Sequence, residues 1–336
     1  MSEGPPLRTP VCALLGCRYP VVSAGMGGVA RAELVVAVVN AGGYGLLGMV
    51  RESPELIAKE IAAVRERSDR PFGVNLIPYG TDPALLAEEL AACYAARVHS
   101  LCFFWEVRPD LIRQAKAAGC KVLYQVGRLR DAIAAEAAGA DVVICQGVEA
   151  GGHVHGSVSS LVLLPQVASA LRIPVLGSGG FATGSGLVAA LALGAQGIHC
   201  GTAFLATDES FAHDFHKRRI VEAGSEETVQ SDVFTINWPA RSPVRTLENS
   251  ITRAYHDRLW GHGPDDFARD VIGHEEQRPI YRFSTDSPLR NMTGDFEVMP
   301  AFAGQTCGLI EDVCSAGERL ERIIREAETV LARLAA

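Results

Sequence analysis

The chain has 336 residues, 48% of them hydrophobic and 21% charged. That is enough apolar material for a large core and excludes a disordered chain. A formal net charge of −8 argues against nucleic acid or an anionic membrane as the main partner.

The chain alternates short apolar runs with longer amphipathic ones. Strands are predicted at 19–24, 44–48, 71–76, 98–104, 121–126, 141–145, 174–178 and 197–201. Each is followed by a predicted helix: 30–41, 53–67, 82–96, 108–118, 129–138, 161–171, 185–194 and 210–223. Ser53 before Pro54 and Asp82 before Pro83 mark helix starts. Gly42, Gly119, Gly139 and Gly194 mark stops. The strands are almost continuously apolar, as expected where both faces are covered. Eight such units in about 225 residues predict a (β/α)8 barrel, a fold of roughly 250 residues. A doubly wound open sheet is the alternative, because strand order is not readable from sequence. We expect a barrel over 1–225, a smaller substrate or lid domain over 226–304, and a C-terminal segment 305–336. The last has helical period over 308–334 and is expected to pack back on the barrel.

No apolar run reaches the roughly 18 residues of a transmembrane helix, and no signal peptide is expected. Nine cysteines without a CxxC pair fit reduced thiols in a cytoplasmic protein, with no metal site. The partners expected are therefore small molecules. The oligomeric state stays open, a homodimer included.

In such folds chemistry sits at the carboxyl ends of the strands. The first strand ends in Ser23-Ala24-Gly25-Met26, the third in Asn75 and the fifth in Gln125. The sixth runs into Gln146-Gly147-Val148-Glu149-Ala150-Gly151-Gly152-His153, where glycines permit close backbone approach and a histidine titrates near neutrality. Ser178-Gly179-Gly180 and Gly201-Thr202 end the seventh and eighth, where barrels often hold a phosphate on backbone N–H groups. His155 reads as a loop or pocket-wall residue, His199 as a buried and satisfied one, and Glu149 as a brace for its loop. Lys217, Arg218 and Arg219 read as a solvated face. Arg241 and Arg245 either tie the small domain to the barrel or meet an anionic substrate. Trp238 and Tyr281 either line a pocket or belong to the small-domain core.

The segments VVSAGMGG (21–28), PFGVNL (71–76), QGVEAGGHVHG (146–156), PVLGSGGFATG (174–184) and GAQGIHCGTAFLAT (194–207) together resemble the nitronate monooxygenase, or 2-nitropropane dioxygenase-like, flavoproteins. The resemblance covers nearly the whole chain and implies an FMN-binding barrel. It implies that Ala24, Gly25 and Met26 meet the flavin ring, and that Asn75 and Gln125 hydrogen-bond the flavin or its ribityl chain. It further implies that Gly151 and Gly152 pass close by, that Ser178, Gly179, Gly180, Gly201 and Thr202 bind the phosphate, and that His153 is catalytic. The chain departs from the family in having Gly25 where a proline is usual, a neutral Gln125 where some members have a lysine nearby, and the additional His155. These departures point to an unusual substrate.

The activity implied is oxidation of a nitronate or nitroalkane with O2. A second expectation is an NAD(P)H-dependent reductase of enoyl thioesters or quinones on the same scaffold, although no GxGxxG fingerprint is present. A third is a non-redox barrel that binds a phosphorylated ligand.

Overall fold

A computed structural model describes residues 7–336. In chain order the barrel half contains α1 (Pro10–Leu15), β1 (Val21–Ser23), α2 (Ala32–Asn40), β2 (Tyr44–Gly48), α3 (Pro54–Arg65) and β3 (Gly73–Leu76). It continues with α4 (Pro83–Ala95), β4 (Ser100–Phe104), α5 (Pro109–Ala117), β5 (Lys121–Val126), α6 (Leu129–Ala138) and β6 (Val142–Gln146). There follow β7 (Gly152–His153), α7 (Ser160–Ala170), β8 (Val175–Ser178), α8 (Gly184–Ala192), β9 (Ile198–Cys200), α9 (Thr202–Leu205) and α10 (Asp214–Glu222). The rest contributes β10 (Thr228–Ser231), β11 (Val244–Leu247), α11 (Ser250–Ala254), β12 (Val271–Glu275), β13 (Arg278–Tyr281), β14 (Met292–Gly294) and α12 (Ala316–Ala335).

The parallel strands close in the order β1-β2-β3-β4-β5-β6-β8-β9. Val21, Val22 and Ser23 of β1 pair with Ile198, His199 and Cys200 of β9 to complete the ring. The protein is thus a (β/α)8 barrel, and the open sheet is excluded. Both sets of helix signals act as the sequence suggests. Ser53 Oγ accepts from the Leu56 N–H at 3.2 Å, and Asp82 Oδ1 accepts from Ala84 and Leu85. The four helix-ending glycines all take positive φ.

The barrel interior is filled by Val22, Tyr44, Leu46, Cys102, Leu123, Val142, Ile144 and Leu176. Helix α1, which the periodicity does not reveal because it is only six residues long, adds Val11, Cys12 and Leu15 to this cluster. The buried Tyr44 hydroxyl meets Ser100 Oγ at 2.6 Å and His99 Nδ1 at 2.9 Å, so the one polar tip in this layer is satisfied. A second apolar layer lies between strands and surrounding helices.

Two small antiparallel sheets, β10-β11-β7 and β13-β12-β14, follow the barrel pattern. The first is anchored on the barrel itself, because β7 lies in the loop after β6 and pairs His153 with Val244. The C-terminal helix begins at Ala316, not near 308. Residues 305–309 form a 3-10 turn, and Ser315 caps α12 by accepting from the Glu318 N–H. Helix α12 lies against both α8 and α2, in the place of the barrel's eighth helix. Gly184 of α8 passes so close that a Cβ there would lie 2.2 Å from the Ala327 nitrogen. Glu326 accepts from the Gly184 and Ser185 N–H groups and the Ser185 hydroxyl, at 2.9, 3.0 and 2.6 Å. No described helix is long and apolar enough to cross a membrane.

Candidate active site

A cavity of about 530 Å3 opens at the carboxyl ends of the barrel strands, within the roughly 300–1,000 Å3 typical of ligand sites. Ala24, Gly25, Met26, Asn75, Gln125, Gly151, Gly152, His153, Ser178, Gly179, Gly201 and Thr202 all line it. Gly180 does not. It turns toward the Glu149–Ser160 brace, where an added Cβ would sit 2.9 Å from Glu149 Oε1.

The inner part is built from backbone and small side chains. A Cβ on Gly201 would find nothing nearer than Met26 Sδ at 3.7 Å, and one on Gly152 would find nothing within 4 Å. Both positions therefore face open space rather than packed protein. Gly152 also needs its glycine for conformation, with φ at +69°. Gly25 is fixed differently: Asn75 lies on its Cα and donates from Nδ2 to the Gly25 carbonyl at 2.9 Å. His199, on β9, bonds Ser178 Oγ through Nδ1 at 3.0 Å. Its buried Nε2 has no partner and the residue lines the cavity. The expectation of a fully satisfied His199 is thus half met. A wall of closely approachable backbone with an unpartnered ring nitrogen fits a flat, polar-edged flavin. Thr202 Oγ1 already accepts from the Gly304 N–H at 2.9 Å, so its hydroxyl oxygen is engaged within the protein.

The outer part is aromatic and charged. His153 lies with its ring 3.9 Å from that of Trp238 and 5.9 Å from that of Trp105. Its backbone carbonyl accepts from Gln146 Nε2 at 2.9 Å, which fixes the strand. Its Nε2 has no hydrogen-bond partner. Burial, with the Arg51 guanidinium adding to it, lowers the His153 pKa to about 3, so the ring is neutral at physiological pH. Arg51 lies over the Trp238 ring at 4.8 Å and donates to the Asn237 carbonyl. It forms no ion pair among the described residues. Trp238 is seated on Gly80, where any Cβ would meet the indole at 2.2 Å. Asn237 is held in turn by the Thr285 N–H and hydroxyl, at 2.7 and 2.8 Å. The result is a neutral imidazole and a guanidinium on one aromatic plate, an arrangement that stabilises negative charge on a substrate oxygen.

Arg51, Gln146 and Trp238 carry this geometry, and the first two are not evident in the sequence. Arg51 has φ +59° in the loop after β2, a conformation that nothing in the local composition announces. Other residues resolve as follows. Glu149 does brace its loop, accepting from the Ser160 N–H. Arg245 is buried and donates to the Val148 carbonyl, tying the first small sheet to the β6 loop, whereas Arg241 is exposed. Lys217 is a correction: it is buried, with Nζ donating to the Asp208 carbonyl at 3.1 Å. Arg219 pairs with Glu297. Tyr281 lies in β13 away from the cavity wall.

The profile of the nitronate monooxygenase family matches residues 8–326. The (3aS,4S,5R,7aS)-5-hydroxy-7a-methyl-1-oxo-octahydro-1H-indene-4-carboxyl-CoA dehydrogenase of Mycobacterium tuberculosis is 41% identical over 97% of this chain and 97% of its own. A probable nitronate monooxygenase of Staphylococcus saprophyticus is 28% identical over 97% and 99%. The structure of FabK from Thermotoga maritima superposes with a TM-score of 0.84 at 30% identity, covering 98% of each chain.

Proposed function

The chain belongs to the nitronate monooxygenase family and is a flavin-dependent oxidoreductase, and we propose that its flavin is FMN and its substrate an acyl thioester of coenzyme A. The observation that carries this is the pairing of neutral His153 with Arg51 across Trp238. A thioester oxidised next to its carbonyl places negative charge on the carbonyl oxygen, and Arg51 is the cation available to receive it. The relative that is 41% identical is named for a carboxyl-CoA substrate, which supports this class. Ala24, Gly25, Met26, Asn75, Gln125, Gly151 and Gly152 would hold the ring and ribityl chain. Ser178, Gly179, Gly201 and Thr202 would hold the phosphate, with Gly180 behind them.

When bound, the flavin supplies the electron sink. The protein's own residues orient the substrate and manage charge and proton. His153, neutral and with a free Nε2, accepts the proton from the carbon next to the carbonyl. Arg51 compensates the oxyanion that forms. Phe104, Ile77 and Trp238 give this half of the cavity an apolar wall that excludes water.

A nitronate oxidised with O2 is the second reading, favoured by the same cation because a nitronate arrives already charged. There His153 donates a hydrogen bond instead of taking a proton. NAD(P)H remains the third electron partner to test. Anaerobic mixing separates the readings by which compound bleaches the visible flavin band. Bleaching by cyclohexanecarboxyl-CoA supports the thioester. Bleaching by propyl-2-nitronate alone moves the assignment to the nitronate, and by NADPH alone to a reductase.

A further inference from the structure

We propose that a second groove, on the outer side of the wall that carries His153, binds the phosphorylated adenosine end of a coenzyme A thioester; this rests on the thioester reading above. The groove has a volume of about 340 Å3 and is lined by Arg128, His155, Ser157, Gln230, Pro243 and Trp260.

Its chemistry is that of a nucleotide site. Trp260 is 56% exposed and stacks on no other ring among the described residues. The backbone that follows it is anchored, because the N–H groups of Gly261 and His262 donate to the Asp232 carboxylate at 3.0 and 3.1 Å. A large aromatic face open to solvent suits stacking of a base. Arg128, at the start of α6, forms no ion pair among the described residues, whereas its neighbour Arg130 is paired with Asp131 at 3.6 Å. Arg128 is thus the guanidinium free for a phosphate. The His155 side chain is only 8% exposed, and its Nδ1 has no hydrogen bond. The nearest carboxylate oxygen, on Asp131, is 3.8 Å away. Ser157 and Gln230 add polar groups for the edge of a base or a ribose, and Pro243 an apolar floor.

The groove and the catalytic cavity share a wall. His153 faces the cavity and His155, two residues on, lines the groove. The Trp105 ring lies 5.9 Å from one and 4.7 Å from the other. Trp105 is held at φ +90°, a conformation rare for a bulky side chain, which places its ring between the two histidines. A ligand with its acyl group beside His153 and its nucleotide beside Trp260 would run over the edge of this shared wall.

The test uses the flavin-loaded protein and three probes: free coenzyme A, an acyl-CoA, and the same acyl group on pantetheine, which lacks the nucleotide. Trp260→Ala and Arg128→Ala change exposed side chains, so flavin content should be unaffected. Each is expected to weaken coenzyme A binding by calorimetry about tenfold or more, while turnover of the acyl-pantetheine stays at the wild-type level. Coenzyme A should also shield Trp260 fluorescence from iodide. If acyl-CoA is turned over and both variants bind coenzyme A like wild type, the groove assignment is overturned and the thioester reading survives. If wild type neither binds coenzyme A nor oxidises either thioester, the thioester reading fails and the groove assignment fails with it.

Discussion

Gly201→Ala adds one methyl group at the start of α9, facing the inner cavity. Within the protein that methyl meets only Met26 Sδ at 3.7 Å and Ala24 Cβ at 3.9 Å, both ordinary contacts. Gly201 has φ −94°, so alanine adds no left-handed strain. The remaining cost is that of alanine at a helix N-cap, roughly 0.5–1 kcal/mol, or a fall in Tm of about 1–4 °C. The bound cofactor is affected differently. If the flavin or its phosphate passes over Gly201, the methyl takes up space the ligand needs, and overpacking of that kind costs about 1–3 kcal/mol. The Kd for FMN should then rise roughly 5- to 150-fold. The assay removes the flavin, measures Tm of the apoprotein, and titrates FMN by quenching of its fluorescence. An unchanged FMN affinity in a variant of near-wild-type Tm would refute the placement of the cofactor against the ends of β8 and β9. A large loss of apoprotein stability would refute the geometry itself.

His153→Asn should lower kcat about 100-fold or more while FMN stays bound; full turnover in this variant would sink the role given to His153. Because His153 is protonated only near pH 3, kcat/KM for the wild type should show no His153 limb between pH 5 and 8. A limb near 6.5 that vanishes in His153→Asn contradicts this. Desolvation lowers the pKa of buried His153 to about 3 and those of buried His199 and His216 to about 4, whereas in the unfolded chain all three titrate near 6.5. The unfolded state thus binds more protons as the pH falls from 7 to 5, and each histidine costs about 2 kcal/mol of stability by pH 5. Glu89, raised to about 7 by burial, acts with the opposite sign and returns about 2 kcal/mol over the same interval. Urea unfolding should therefore report a net loss of about 4 kcal/mol from these groups at pH 5; equal stability at both pH values disproves the balance. Glu326→Ala removes three hydrogen bonds from the start of α8. It should cost about 1–2 kcal/mol, visible as a lower Tm with undiminished FMN content.

The barrel was legible because its strands are buried on both faces and so spell themselves as apolar runs: β4 is Ser-Leu-Cys-Phe-Phe and fully buried. The glycine clusters at strand ends were legible for a related reason, since close approach requires glycine wherever the chain runs. Arg51, and its meeting with Trp238, were harder to read. Their roles arise from a stack between the β2 loop and a residue that follows β10, and local sequence carries no signal of that long-range meeting. Lys217 misleads because a basic run reads as solvated, yet this side chain is buried and its ammonium reaches the Asp208 carbonyl. The place of the eighth helix was also hidden. Segment 214–222 has the right period, but helix α12, far along the chain, occupies the position between α8 and α2.

That displaced helix sets an order of events during synthesis. The sheet is complete once Cys200 has emerged, but the groove between α2 and α8 stays uncovered until Ala316–Ala335 follow. A nascent chain thus carries an open, apolar seam while residues 226–304 are still being made. The small sheets must fold as an excursion from an unfinished barrel, tethered to it by β7 before the last helix arrives. Any protease or chaperone that acts on the growing chain would meet this seam at Gly43, which Leu320 later covers.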